Sequence, residues 1–402
     1  MTPLRESPPF RRLFFGQGIS FIAGEVTWVA VPYQLFQLTH STLAVGLLYL
    51  TTLVPLLVAP VVGGAVADAV DRRRLLLASE VGFALVSVGL AVNASLAHPQ
   101  VWALYVLDFA GTLVFGFGTP SMRSLLPRIV DEDQLVAANA LESLYSNFAA
   151  VAGPAAGGLI IAGVGLTGTY LIDVASFGAS LASIWTLPAL PPAPDADRPS
   201  VRSIVDGFQY VRRQRVVLGI FLVDTNAMIF GMPMALFPAI GEHFGGGSTT
   251  VGFLFAAPYA GALVASIFSG PLARVRRQGL GVVVAAAAWG AALVFFGLSN
   301  ALWLALILLA VAGAADFVSA VLRSTIVLVA TPDAMRGRIT GIEFTQVAAA
   351  PTLGNVEAGV VASLTSLRFS IVSGGIACIV GCGVLALAIP ALLRYDAKGA
   401  KA

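Results

Sequence analysis

Eight carboxylates fall inside long apolar runs of this chain: Glu25, Asp108, Glu142, Asp173, Asp224, Asp316, Glu343 and Glu357. A carboxylate desolvated without a counter-charge holds its proton more tightly than one in water, which is the property a proton-carrying group needs. An ionisable side chain at mid-bilayer costs about 2.5–3.5 kcal/mol on insertion scales, so it normally faces a cavity and marks function. No basic partner is expected at the depth of these acids. Three of them sit in an aromatic and apolar pattern at helical spacing: Glu25 with Trp28, Pro32 and Phe36, Asp108 with Tyr105 and Thr112, and Asp224 with Phe221 and Met228. Such faces suit a pocket for amphipathic molecules, although interhelical packing alone produces the same spacing. Glu25 ranks first as a proton-coupling residue, followed by Asp224 and Asp108. Glu142, Asp173 and Glu343 lie near predicted helix ends, where a solvated or interfacial place is expected, and Asp316 stands two turns before Arg323.

The elements that position these residues are membrane spans. The chain has 402 residues, 57% hydrophobic and 11% charged, with a mean hydropathy of +0.88; soluble domains carry about 25% charged residues. Windows of about 20 apolar residues, enough to cross a bilayer, fit at 13–37, 43–66, 75–97, 101–122, 136–163, 168–188, 216–240, 249–272, 280–298, 301–323, 339–363 and 368–392. With the N-terminus inside, every Lys and Arg except Arg368 falls on the cytoplasmic side, Arg323 included, so both termini are expected to be cytoplasmic. His40, His98 and His243 fall at outer ends.

Repetition divides the chain. STLAVGLLYL at 41–50 is echoed by STTVGFLFAA at 248–257, and RSLLPRIVDEDQL at 123–135 by RSTIVLVATPDAM at 323–335. The expected organisation is an all-α membrane protein of twelve helices in two pseudo-symmetric six-helix bundles, 1–188 and 216–402, joined by a cytoplasmic linker at 189–215. The linker begins in the Pro-rich run LPALPPAPDADRPS, too stiff and polar to span. It continues into an amphipathic stretch with Ile204, Phe208 and Val211 on one face and Arg202, Arg212, Arg213 and Arg215 around it. That stretch either lies on the anionic inner leaflet or serves as a connector, and the two are compatible.

Other chemistries are poorly supported. No Ser/His/Asp set, Cys/His cluster or phosphate loop is evident, so an enzyme, a cofactor and a metal site are not expected. Cys378 and Cys382, four apart in one apolar run, read as packed or lipid-facing thiols. The basic loops belong against lipid headgroups, which excludes nucleic acid in practice. The expected partners are a small amphipathic substrate, protons and anionic lipids, on a monomer.

Between the second and third spans runs G-x-x-x-D-x-x-D-R-R-R, formed by Gly64, Asp68, Asp71, Arg72, Arg73 and Arg74. With twelve spans in two halves, it resembles the major facilitator superfamily. FRRLFFGQGIS at 10–20, VAVPYQLFQLTHSTLAVGL at 29–47 and TPDAMRGRITG at 331–341 are similar to the bacterial siderophore exporters of the enterobactin type and to related drug/proton antiporters. Gly153, Pro154, Gly157 and Gly158 in GPAAGG resemble the Gly-Pro motif of proton-coupled antiporters. The resemblance implies a cavity lined by helices 1, 4, 7 and 10 and a cytoplasmic latch in which Asp68 meets the positive end of helix 11. It implies proton-coupled export of a catecholate siderophore by alternating access in the inner membrane. Broad multidrug or macrolide efflux is the alternative, and a non-transporting sensor or scaffold is the alternative of another class. The family's Arg in helix 4 is absent, since Asp108 is the only charge between residues 101 and 122.

Overall fold

The computed structural model describes residues 2–123, 125–187 and 208–396, without the side chains of Ala65, Ala67, Asp68, Pro120, Arg123 and Ala334. Its first four long helices are α1 (Pro8–Thr39), α2 (Thr42–Ala69), α3 (Arg72–Ser95) and α4 (Val101–Arg123). One continuous element, Leu135–Trp185, breaks at Gly165 (φ 72°, ψ 177°) into α5 (135–164) and α6 (166–185). Only a residue without Cβ adopts that backbone without strain. Then come α7 (Arg215–Phe230), α8 (Gly247–Ile267), α9 (Gln278–Leu298), α10 (Leu302–Ala330), α11 (Asp333–Leu364) and α12 (Leu367–Ala388). Counting the fused pair as two, the protein is a twelve-helix, multi-pass membrane protein.

Two departures from the hydropathy windows bear on the site, each for a physical reason. α10 continues seven residues past the expected end at 323, which places Arg323 inside the helix instead of at its cytoplasmic end. The seventh span is discontinuous. Pro233 has no N–H to donate, the helix stops at Phe230, and a 3-10 turn (Met234–Leu236) and a short helix (Phe237–His243) complete the crossing. A broken helix at membrane depth must have its freed backbone groups satisfied by protein. Trp289 Nε1 donates to the Gly231 carbonyl (3.0 Å), and the Ala235 N–H donates to Asn355 Oδ1 (2.7 Å).

The contacts sort the chain into two units. Unit 1 holds 1–40, 50–198 and 241–256; unit 2 holds 41–49, 199–240 and 257–402. Each therefore contains the first turns of a helix from the opposite sequence half: those of α8 in unit 1, those of α2 in unit 2. Of the linker stretch, Arg202 and Ile204 lie outside the described residues. Residues 208–213 are helical; Phe208 is exposed, but Val211 packs with Val217, Phe221, Val327 and Ile339. The Tyr210 hydroxyl donates to the Ala330 carbonyl at 2.8 Å, so part of the face expected to meet lipid is covered by protein.

Candidate functional site

In unit 1, α1 presents Glu25, Trp28, Pro32 and Phe36 in the expected order, with Glu25 and Trp28 half-buried and Pro32 and Phe36 fully buried. The Trp28 ring meets Phe255 of α8 edge-on, 5.1 Å between centroids, and Phe36 packs against His40 (5.9 Å). On α4, Tyr105, Asp108 and Thr112 are all half-buried, and the Thr112 hydroxyl caps the Asp108 carbonyl at 2.9 Å. The half-buried members are two aromatic side chains, Trp28 and Tyr105, two carboxylates, Glu25 and Asp108, and the Thr112 hydroxyl.

The GPAAGG run of α5 explains how α1 is held. Gly153 faces the Cβ of Glu25, and a Cβ on Gly157 would stand 3.2 Å from the Val26 Cα. On the other side, a Cβ on Gly158 would fall 3.0 Å from the Gly252 Cα, and one on Gly252 would fall 2.5 Å from the Pro154 carbonyl oxygen. Small residues thus let α5 approach α1 and α8 at backbone distance. The sequence repeat reappears here. The Ser248 hydroxyl donates to the Gly158 carbonyl (3.0 Å) in unit 1, and the Thr42 hydroxyl donates to the Gly359 carbonyl (3.2 Å) in unit 2. One turn further along, Gly252 lies on Gly158 and Gly46 lies on Gly359.

In unit 2, Asp224 is not the unpaired acid the sequence suggested. It is buried, forms an ion pair with Arg323 of α10, and accepts from Gln346 Nε2 of α11 at 2.8 Å. Gln346 also donates to the Phe221 carbonyl at 3.1 Å. Phe221 and Met228 are buried in this packing, Phe221 within an apolar cluster, so neither offers an open surface. The pairing was hidden because a window ending at 323 placed Arg323 at the cytoplasmic end of its helix.

Two further acids are buried. Asp173, expected near an interface, is 2% exposed, and Glu80 of α3, which no sequence signal singled out, is 8% exposed. Asp316, Glu142, Glu343 and Glu357 are half-buried. Cys378 and Cys382 are buried free thiols; Cys378 Sγ lies 3.5 Å from the Ala286 carbonyl oxygen and Cys382 Sγ 3.7 Å from Asn226 Nδ2.

Of the loop motif, the Asp68 side chain lies outside the described residues, and Gly64 has open space around it. Asp71 is the N-cap of α3, its carboxylate accepting from the N–H of Arg73 (2.8 Å) and of Arg74 (3.4 Å). Arg73 reaches the end of α6, donating to the Ile184 carbonyl (3.3 Å) and to that of Trp185, with its guanidinium 5.7 Å from the Trp185 ring centre. A cation there meets the negative end of the helix dipole. Arg74 is exposed.

Comparison with known proteins agrees with this architecture. Residues 1–400 match the family described as transmembrane secretion effector. The chain belongs to this family of the major facilitator superfamily. Among major facilitator relatives, it is 30% identical over 395 residues to "Enterobactin exporter EntS" of Escherichia coli (strain K12), covering 98% of this chain and 95% of that one. It is 31% identical over 342 residues to the protein of the same name from Shigella boydii serotype 18 (strain CDC 3083-94 / BS512), covering 85% and 82%. Solved major facilitator folds align over nearly the whole chain. A POT family transporter in complex with 5-aminolevulinic acid gives a TM-score of 0.76 at 11% identity, covering 96% of this chain and 97% of that one. A bacterial homologue of the iron transporter ferroportin gives 0.71 at 13%, covering 96% and 99%.

Proposed function

We propose that the protein is a proton-coupled secondary exporter of a catechol-bearing siderophore, working by alternating access in the bacterial inner membrane. The observation that carries this reading is the match, through both sequence halves, to exporters named for enterobactin. The α1 and α4 faces are consistent with it. Trp28 and Tyr105 offer rings for stacking on catechols, and Glu25 and Asp108 are half-buried carboxylates without an ion pair among the described residues. The one deep cation described, Arg323, is already neutralised by Asp224. A multiply charged ferric complex would find no free counter-charge, so the iron-free, protonated siderophore is the transported form. Asp224, ranked second from the sequence, becomes a paired structural acid in this reading, and Glu25 and Asp108 carry the coupled proton. Asp68 is the cytoplasmic latch residue, and Arg74 meets anionic lipid.

The direct test is secretion. Cells lacking the protein are expected to retain the iron-free siderophore, with cationic dye efflux unchanged. Unaltered secretion with raised dye accumulation would move the chain to the multidrug class.

Orientation follows from the basic loops: both termini face the cytoplasm. Single cysteines at Ala97 or Asn300, both exposed, are expected to react with an impermeant thiol reagent from outside the cell. Cysteines at Ala69 or Ala273, also exposed, are expected to stay unlabelled until the membrane is opened. Labelling of Ala69 in intact cells would reverse the topology.

A further inference from the structure

Inside unit 1, α1, α3 and α6 close on a polar line that the cavity-facing residues do not use. At one level Gln17 Nε2 donates to Glu80 Oε1 (3.0 Å) and to Ser180 Oγ (2.6 Å). At the next, Thr27 Oγ1 and Ser87 Oγ both donate to Asp173 Oδ2, at 2.8 and 2.7 Å. At a third, the Tyr170 hydroxyl donates to Gln34 Oε1 at 2.8 Å. At 1.5 Å of rise per residue, Gln17 and Thr27 lie about 15 Å apart along α1, and Thr27 and Gln34 about 10 Å.

Glu80 and Asp173 are more than nine-tenths buried, and each keeps one oxygen, Glu80 Oε2 and Asp173 Oδ1, without a hydrogen-bond partner. Among the described residues neither forms an ion pair. The titratable groups around them are acids and phenols, apart from Arg73, about 10 Å before Glu80 along α3, whose guanidinium is held by the Ile184 and Trp185 carbonyls. Asp173 acts on Glu80 and on Tyr170, Asp108 of α4 also acts on Tyr170, and α1 contributes the neutral Gln17, Thr27 and Gln34. A carboxylate buried this far with no cation paired to it is costly to keep charged, whereas the protonated acid is neutral. The hydroxyls of Thr27 and Ser87 donate to a carboxylate and, after rotating, accept from a carboxyl O–H, so the same atoms serve both states.

We infer that Glu80 and Asp173 form a two-station proton-binding seam between α1, α3 and α6, separate from the half-buried acids of the α1 and α4 faces. The inference deepens the reading of the chain as a proton-coupled exporter and rests on it. Gln17 and Thr27 bracket Glu25 on α1, so the protonation state of the seam acts on the helix that carries the coupling acid. Glu80 stands eight residues into α3, about 12 Å from its first residue, and Asp173 seven residues into α6, about 10 Å from its start. The two helices enter from opposite sides of the membrane, and the stations therefore sit at different depths.

The test uses the full-length protein in lipid nanodiscs without substrate. Infrared difference spectra between acid and alkaline pH are expected to show the carbonyl stretch of protonated carboxyls in the wild type. Asp173→Asn and Glu80→Gln should each lose part of that amplitude and release one proton fewer to an indicator dye, and the double variant should lose both parts. Should Asp173→Asn fail to fold, 13C-labelled aspartate in an Asp108→Asn, Asp316→Asn background must still shift part of the band. Unchanged amplitude in both variants, no isotope shift, or a band governed by sodium against choline at constant pH would overturn the seam. Loss of siderophore secretion alone would instead overturn the substrate, because the spectra need none.

Discussion

Replacing Arg323 by Gln is expected to destabilise the protein by about 3–5 kcal/mol, the range seen when one partner of a buried ion pair is removed. Asp224, 3% exposed in the native protein, would have its charge met by amides in place of a guanidinium. The companion result is that Asp224→Asn, added to Arg323→Gln, recovers most of the loss, since two neutral amides can hydrogen-bond where a lone carboxylate cannot. Thermal unfolding in detergent reads both. If Arg323→Gln unfolds with the wild type, the α7–α10 pair does not hold unit 2 together.

The second large effect is expected at the glycine crossings. Alternating access requires helices from the two sequence halves to part and close again, and α5 with α8, and α2 with α11, are such pairs. A Cβ on Gly158 would stand 2.5 Å from the Ser248 carbonyl oxygen, and one on Gly359 would stand 2.6 Å from that of Thr42. Both obstacles are backbone, so no side chain can swing aside. Gly158→Leu and Gly359→Leu should each slow export at least tenfold, about 1.4 kcal/mol on the limiting step. Gly163→Ala, with no heavy atom within 4 Å, should export normally. Wild-type rates for both leucine variants at matched expression would show that these crossings need not close.

The repeat was legible because it is written in short, strongly typed residues. Thr42 and Ser248, each four residues before the glycine of the shared Val-Gly pair, make the same hydroxyl-to-carbonyl bond. The Gly-rich face of α5 was legible for the same reason, although its two partners, Glu25 on α1 and Gly252 on α8, were not. What stayed hidden depended on contacts distant in sequence or on helix ends. Asp224 and Arg323 are 99 residues apart, and hydropathy alone ends α10 at its first basic residue, whereas a helix continues for as long as protein can cover that charge. Glu80 escaped notice because it lies near the charged start of α3, and burial there is conferred by α1 and α6. The break after Phe230, three residues before Pro233, lies inside a span expected to be continuous from 216 to 240, and its tolerance depends on Trp289 and Asn355, which no local pattern connects to it.

The most direct measurement is transport by the purified protein in proteoliposomes loaded with an iron-free catecholate siderophore. The expected result is movement accelerated by an imposed pH gradient, exclusion of the ferric complex, and a Glu25→Gln variant that binds the siderophore but ignores the gradient. Equal movement of the iron-free and ferric forms, or movement indifferent to the gradient in the wild type, would contradict the account.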